Sequence, residues 1–422
     1  MRNSSSIRYD TQRFVNRYWA SSRDTMTTTV LATSAADPFS DAALVDPWEI
    51  YRELRDVGPV VHLPQYDLHA VMRHADVRAV LGDWETFSSR AVGLNPTFNA
   101  MAGGVTTNIL MASPPQHHKL RSILGEDLAP RGLRQKLEEF VGERAEKLVD
   151  RLVAQGQFDA ARDLARPFVM DIVYELNGLP AHGRERFFDW ATEMFNALGP
   201  ANARSEAAFP SIGEMFGWLR DEAGPDAVTP GSWSATIYEA ADRGDVPADT
   251  AFRMLTTYVA PALDTTIHSL AWAIKLFADH PEQWEEVRAD PELIPSAYAE
   301  ILRIQSPVHH MGRLAEQDTE IDGVPVPEGS RLLVSFASAN RDERQWDEPE
   351  RFDIHRDNRR QAAFGYGVHS CVGQGLARIE GHSILTALAS RVERFEVGEG
   401  VPFLNNLVHG FDSLPVTCQR KV

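Results

Sequence analysis

The feature that most restricts this chain is the stretch Phe364-Gly365-Tyr366-Gly367-Val368-His369-Ser370-Cys371-Val372-Gly373, which runs directly into the helical pattern QGLARIEGHSILTALASRV. Glycines before the cysteine let the backbone turn in ways closed to other residues, so peptide N–H groups can aim at the sulfur. The helix that follows presents its positive end to the same atom, and both effects favour a thiolate. The chain holds two cysteines, Cys371 and Cys418, too few for a disulfide framework. Cys371 therefore reads as a ligand, a nucleophile or a buried filler, and Cys418, which lacks such surroundings, as a structural residue.

At 422 residues the chain can bury a large core, and its length alone would allow two or three domains. The interior shows no Pro/Gly/Ser-rich linker, charge block or repeat, so one domain over residues 26–422 is expected. Hydrophobic residues at 43% and charged residues at 24% are ordinary for a globular protein and exclude disorder or a fibrous design. A formal charge of −18 argues against nucleic acid as a partner, since phosphate binding needs a basic face. No apolar run reaches the roughly eighteen residues a membrane span needs, and a cytoplasmic protein is expected. Residues 1–25 carry Arg2, Arg8, Arg13, Arg17 and Arg23 but no apolar stretch for export, and Met26 opens an alternative start. That segment is expected to be a disordered tail.

From Asp46 the pattern predicts a helix, two short strands and a second helix, with Gly58-Pro59 as the break. Between Arg90 and Met111 periodicity disappears and Gly, Pro, Asn and Thr accumulate; a loop of that length is expected to line a ligand. From His117 to about Ala278 helical spacing dominates. A β-rich piece follows near TEIDGVPVPEGSRLLVSFASAN, and short strands are expected between Gly400 and Val416.

Two further signals carry chemistry. Glu300 and Arg303 lie three apart on a helix, a spacing that by itself marks only an ion pair worth a few tenths of a kcal/mol. Asp264, in Ala262-Leu263-Asp264-Thr265-Thr266, interrupts a long apolar helix starting near Ala251, and a buried acid is costly unless paired or functional.

With the Cys371 stretch these motifs make the chain resemble cytochrome P450, whose ten-residue haem-binding pattern is matched in full. The resemblance implies a mainly α fold with small β regions, a helix-rich prism with haem b between a long central helix and the Cys-ligand loop. It implies Cys371 as the iron ligand, with Phe364, Gly365 and Gly373 shaping the loop, and His117, Arg121, Arg313 and His369 holding the haem propionates. Asp264 and Thr265 match the acid and alcohol that handle protons for oxygen cleavage. The Glu300–Arg303 pair is expected to lock onto Arg351 of Pro349-Glu350-Arg351-Phe352. Pro261 and Ala262 depart from the pattern, which usually has a small residue and Gly there; Pro261 removes an N–H and would build a kink into the helix.

Several stretches, among them Ser89-Arg90-Ala91-Val92-Gly93-Leu94 and Phe195-Asn196-Ala197-Leu198-Gly199-Pro200, resemble bacterial members that oxidise para-substituted benzoates. That resemblance implies Arg90 as an attractor of the substrate carboxylate. Thr256, Thr257 and Ala260 stand where the subgroup has an Arg and two Ser, which weakens the carboxylate handle and leaves a benzoate or cinnamate-like acid and a neutral phenolic ether both open. Phe195, Leu198, Val308, Met311 and Phe411 match ring-contacting positions. His309-His310 reads as a pocket-wall and a surface residue rather than metal ligands.

The implied activity is hydroxylation or O-demethylation of a small aromatic by O2. No flavin, dinucleotide or iron–sulfur motif is present, so electrons from NAD(P)H would arrive through a ferredoxin and its reductase. An acidic ferredoxin could dock near Lys119, Arg121, Arg131 and Arg134 of a monomer. Alternatives are a larger natural-product substrate, use of hydrogen peroxide, which Asp264-Thr265 argues against, and a haem-based gas sensor without turnover.

Overall fold

The computed structural model describes residues 31–104, 108–125 and 131–421, the side chains of 131–136 excepted. The expected tail 1–25 and the alternative start at Met26 lie outside these residues. Helix Trp48–Val57 ends at Gly58, and Pro59 leads into the antiparallel pair Val60–Leu63 and Leu68–Val71, turned at Asp67 with φ 51°. Helix His74–Gly82 completes the helix, strand, strand, helix order read from the sequence. The second of these strands pairs in parallel with Arg331–Ser335, which pairs antiparallel with His310–Ala315, and Phe87–Ser88 closes that edge. Ala32–Thr33 forms the other edge, so this six-stranded sheet joins segments nearly 300 residues apart, a separation on the order of the whole chain.

The remainder is mostly helical. The helix Arg131–Gln155 stops at Gly156, whose φ of 77° suits only glycine well, as its sequence position predicts. One strand, Gln157–Asp159, falls within the stretch where helical spacing dominates, because its partner Pro415–Arg420 arrives from the far end of the chain. The strands Val401–Leu404 and His409–Ser413 form a separate antiparallel pair, in the region where short strands are expected.

The central helix comes in two consecutive pieces, Ala248–Val259 and Pro261–Asp279. Ala260 keeps helical dihedrals at φ −63° and ψ −48°, so the axis continues. Pro261 has no N–H for the Thr257 carbonyl, and Leu263 instead bonds the Ala260 carbonyl at 3.3 Å. The second piece buries Leu263, Ile267, Leu270, Ile274 and Phe277 and touches the helices Arg166–Asn177, Phe187–Leu198, Ile294–Gln305 and Gln374–Arg391. The second piece is pinned to two of these helices at one point. The Tyr298 hydroxyl meets Ser269 Oγ at 2.8 Å, while its ring lies where a Cβ on Gly381 would stand, 2.3 Å away. Any larger residue at 381 would force the helix after Cys371 off the core.

Candidate active site

The cysteine loop is built as its glycines imply. Gly365 and Gly367 adopt φ of 68° and 73°, and a Cβ at Gly367 would fall 2.4 Å from the Leu81 carbonyl oxygen. The Cys371 N–H donates to the Phe364 carbonyl at 2.8 Å, and the helix Gln374–Arg391 starts three residues on. The Cys371 side chain faces a recess: it is accessible, yet surrounded by so much protein that burial pushes its thiol pKa up. The Gly373 and Gln374 backbone N–H groups and the cations Arg121 and Arg378 act in the opposite direction. The Arg378 guanidinium covers the Phe364 ring at 4.9 Å.

Four residues from three separate segments converge beside this loop. The His117 and His369 rings meet at 4.5 Å. Arg121 Nη1 donates to the Ser370 and Val368 carbonyls at 2.8 and 3.2 Å. Arg313 is buried, and among the described residues its side chain bonds its neighbour's carbonyl, Gly312, at 2.7 Å and no other group. Burial pushes the Arg313 guanidinium down to about 10. Burial, with help from Arg121 and His118, takes His117 to about 4; burial with Arg313, His117 and Arg121 takes His369 to about 3. His117 Nδ1 and His369 Nε2 are buried without a hydrogen-bond partner, and among the described residues no carboxylate pairs with either arginine. A buried, uncompensated cation is strongly unfavourable, so this donor set fits a ligand carrying carboxylates, as haem propionates would.

Asp264 is fully buried, accepts a hydrogen bond from Thr192 Oγ1 at 3.2 Å and leaves Oδ1 without a partner. Burial pushes its carboxyl up to about 8, against the Thr192 bond and the nearby Arg166, and with Asp189 and Glu193 adding to the rise. Thr265 Oγ1 donates to the Pro261 carbonyl at 3.1 Å. On the helix after the cysteine a second buried acid, Glu380, is pushed up to about 8 by burial, opposed by a hydrogen bond from Thr266. Pro261 also lies on the wall of a cavity lined by Phe98, Leu110, Phe195, Leu198, Phe216 and Thr257, among others. The segment between Arg90 and Met111, expected as a loop, contains the short helix Pro96–Met101, and its Phe98, Ala102, Asn108 and Leu110 stand on the wall of this cavity.

A family model described as "Cytochrome P450" matches residues 247–407. "Cytochrome p450 CYP199A2" of Rhodopseudomonas palustris is 35% identical over 90% of this chain and 93% of its own length. The chain belongs to the cytochrome P450 family. Another P450 relative, "6-deoxyerythronolide B hydroxylase" of Saccharopolyspora erythraea, is 30% identical over 91% of this chain and 99% of its own. The solved structure of cytochrome P450 CYP109Q5 from Chondromyces apiculatus superimposes with a TM-score of 0.76 at 27% identity, covering 92% of this chain and 99% of that one. The chain is a P450 monooxygenase with haem b as its cofactor, reduced by electrons that originate in NAD(P)H and arrive through external redox partners. No helix of the described residues is long and apolar enough to cross a membrane.

In this P450 the Glu300–Arg303 pair is fully buried and bidentate, with both bonds at 2.7 Å. The remaining Arg303 N–H groups go to the carbonyls of Asn340, Pro349 and Arg351, so the guanidinium is saturated. The expected third member is corrected: Arg356, not Arg351, reaches Glu300, at 3.2 Å. The Arg351 side chain points outward to Glu348, and only its carbonyl joins the network, accepting from Arg303 and Arg356. Spacing could not separate two arginines five residues apart in an irregular loop.

The substrate assignments divide. Phe195, Leu198 and Thr257 line the P450 cavity. Arg90 does not: it is 57% exposed and pairs with Glu316 at 3.3 Å. Ala260 is buried at the helix junction, and Val308 bridges to Val408. Met311 is half-buried in its strand, and Phe411 packs on Trp272 at 4.4 Å. His309 and His310 are both buried and share the Tyr51 hydroxyl at 2.8 and 2.9 Å, which explains two adjacent histidines without a metal and corrects the expectation of a surface residue. Among the described residues no group of three or more His, Cys, Asp or Glu could hold an ion. Sequence reasoning missed Thr192, Arg166, Arg253, Arg356 and Glu380; only Glu380, an acid on a buried helix face, left a periodicity signal.

Proposed function

We propose that this P450 oxidises a small aromatic compound, by hydroxylation or by O-demethylation of a methoxy group, and that residues 26–422 act as one cytoplasmic, monomeric catalytic domain served by a ferredoxin and its reductase. The observation that carries this reading is the contact between cavity and acid–alcohol pair: Pro261 stands on the cavity wall while its carbonyl holds the Thr265 hydroxyl. The lining of Phe98, Phe195, Phe216, Leu110 and Leu198 suits one flat ring with few polar contacts.

Haem b, held through Cys371 and with its propionates on His117, Arg121, Arg313 and His369, supplies the oxygen chemistry. The chain's own residues supply protons and exclude water. Asp264 retains its proton at neutral pH, and its unpartnered Oδ1 can pass that proton on and recover it through Thr192 and the Arg166 side. Thr265 Oγ1 holds a proton one helical turn from Pro261 on the cavity wall, and release from the Pro261 carbonyl would free that hydroxyl to donate. The apolar lining keeps bulk water out of the substrate space.

The purified, reduced protein under carbon monoxide should show the red-shifted absorption of a thiolate-bound haem. Para-methoxybenzoate, para-methoxycinnamate and neutral guaiacols should then be titrated against the Soret band and turned over with a surrogate ferredoxin, reductase and NADH. A blue shift with formaldehyde release supports the reading. No response to any aromatic would overturn it and leave the larger-substrate alternative.

A further inference from the structure

The central helix carries a second titratable side chain outside the Asp264–Thr265 pair. His268, one turn after Asp264 on the helix Pro261–Asp279, is fully buried, and neither of its ring nitrogens has a hydrogen-bond partner among the described residues. Apolar neighbours fix its ring: it lies on the Phe403 ring at 4.3 Å, and a Cβ built on Gly410 would stand 2.2 Å from Nδ1. The strand pair Val401–Leu404 and His409–Ser413 is thus fitted around an imidazole, and any side chain at 410 would displace it. Packing alone does not account for the histidine, since a leucine would fill similar space with no polar atom to desolvate.

The two nitrogens belong to a larger group. Side chains four apart on a helix are neighbours, with about 5–6 Å between Cβ atoms. Asp264 leaves Oδ1 without a partner while Thr192 Oγ1 holds Oδ2 at 3.2 Å. Arg166, which opens the helix Arg166–Asn177, lowers the pKa of both Asp264 and His268, and its own Nε is buried without a partner. Its guanidinium covers the Phe188 ring at 3.6 Å and reaches Asp412 of the strand His409–Ser413 at 3.8 Å, where both side chains meet solvent. Four buried polar atoms, Asp264 Oδ1, both His268 nitrogens and Arg166 Nε, therefore gather between two helices and a hairpin. Buried polar atoms are almost always bonded, so such a group marks a polar seam from the Arg166–Asp412 surface to the acid. The other charged or titratable groups that act on it are His409, whose Nε2 donates to the Val45 carbonyl at 3.4 Å, and Asp189 and Glu193 beside Asp264. The substrate cavity is no alternative entry, because no acid stands on its wall among the described residues.

We infer that His268 resupplies Asp264 with protons from the solvent end of this seam, acting through that acid rather than on the substrate. The inference rests on the proton role proposed for Asp264 and names the group that restores it. After Asp264 has given up its proton, one ring nitrogen donates its hydrogen to the carboxylate at Oδ1, and the other takes a proton from water at the Arg166–Asp412 end. The imidazole ends neutral as its other tautomer, the carboxyl is whole again, and one proton has moved inward. Exchange of the ring hydrogen with water resets the tautomer. Burial, with His409 and Arg166, pushes the His268 imidazole down to about 3, so the ring is neutral at working pH and relays a proton without storing charge in the core. An amide could hydrogen-bond in the same place but has no second nitrogen to trade a proton with.

The test follows the Asp264 proton itself and needs no substrate. In the oxidised, haem-loaded protein the free-acid carbonyl stretch of Asp264 is identified by infrared difference against Asp264→Asn, and its exchange is timed after a switch to D2O at neutral pH. His268→Leu fills the site without a polar atom, and His268→Gln keeps a hydrogen-bonding group that cannot relay; each is first shown to keep the thiolate carbon monoxide spectrum. Both variants should retain the free-acid band, since burial raises the Asp264 carboxyl with or without the imidazole, and should slow its exchange roughly 10²-fold. A histidine that served packing alone would leave that rate unmoved. Exchange at the wild-type rate in either variant would overturn the inference and leave the role of Asp264 standing. Absence of a free-acid band from the wild-type protein at neutral pH would instead reject the protonated Asp264, and the inference with it.

Discussion

Asp264 stays protonated at neutral pH because desolvation outweighs its one hydrogen bond and the nearby Arg166. The sign of the pH effect follows. An unfolded aspartate ionises near 3.9, so the folded protein holds an extra proton, and the stability tied to that proton is full below this value and lost as pH rises through about 8. Product formation should therefore decline above about 8 as Asp264 loses the proton it delivers. Asp264→Asn should lower the rate of product formation roughly 10²- to 10⁴-fold, leave the carbon monoxide spectrum intact and remove that alkaline limb. A variant retaining near wild-type turnover would show that protons reach Thr265 by another path. Burial also raises Glu380, so the two acids are distinguished by which substitution flattens the profile. The sequence exposed Asp264 because an acid in an apolar helix is conspicuous on its own; Thr192, on another helix, carried no such mark.

At the scale of elements, the meander after the helix Ile294–Gln305 is held by charge-assisted bonds to one buried pair. Arg356→Ala removes a side-chain bond to Glu300 and should cost about 1.5–3 kcal/mol, whereas Arg351→Ala, which leaves the shared carbonyl in place, should stay within about 0.5 kcal/mol. Thermal unfolding of the two variants decides between the arginines. Arg303→Met would strand the Glu300 carboxylate in the core and should cost about 3–5 kcal/mol with loss of haem uptake. In the central helix, Pro261→Ala restores the N–H that Thr257 lacks and the Thr265 hydroxyl would meet a differently placed carbonyl at 261. The ratio of product to NADH consumed should fall; an unchanged ratio and oxygen affinity would make Pro261 a purely structural break. The helix–strand order near Asp46 and the stop at Gly156 were readable because caps, prolines and periodicity act within a few residues. The strand Gln157–Asp159 was not, since its pairing partner lies at the other end of the chain.

For the whole molecule, a net charge of −18 makes any attraction to an acidic electron donor a local matter. Lys119 is exposed beside the cysteine-loop face, while Arg121 is turned inward to the Val368 and Ser370 carbonyls and adds less to that surface than its sequence position implies. Electron transfer from an acidic ferredoxin should slow as ionic strength rises, and Lys119→Glu should both slow it and flatten its salt dependence, read by stopped-flow reduction of the carbon monoxide complex. A salt-insensitive rate would place the donor elsewhere.

The sequence alone determined the glycine-turned cysteine loop, the i,i+3 spacing of Glu300 and Arg303 and the acid placed in an apolar helix, since backbone geometry fixes such spacings locally, and the resemblance these motifs carry supplied the mainly α architecture. The residues of the proposed propionate set, scattered over 117–369, came from the family resemblance, and the structure brings them together beside the loop. Tertiary structure decided which distant groups meet: Arg356 rather than Arg351 on Glu300, Arg90 on Glu316 rather than in the cavity, and Phe411 on Trp272. Contacts of that kind depend on how helices and loops pack across tens to hundreds of residues, and competing partners for a charge become visible only when every neighbour is in place.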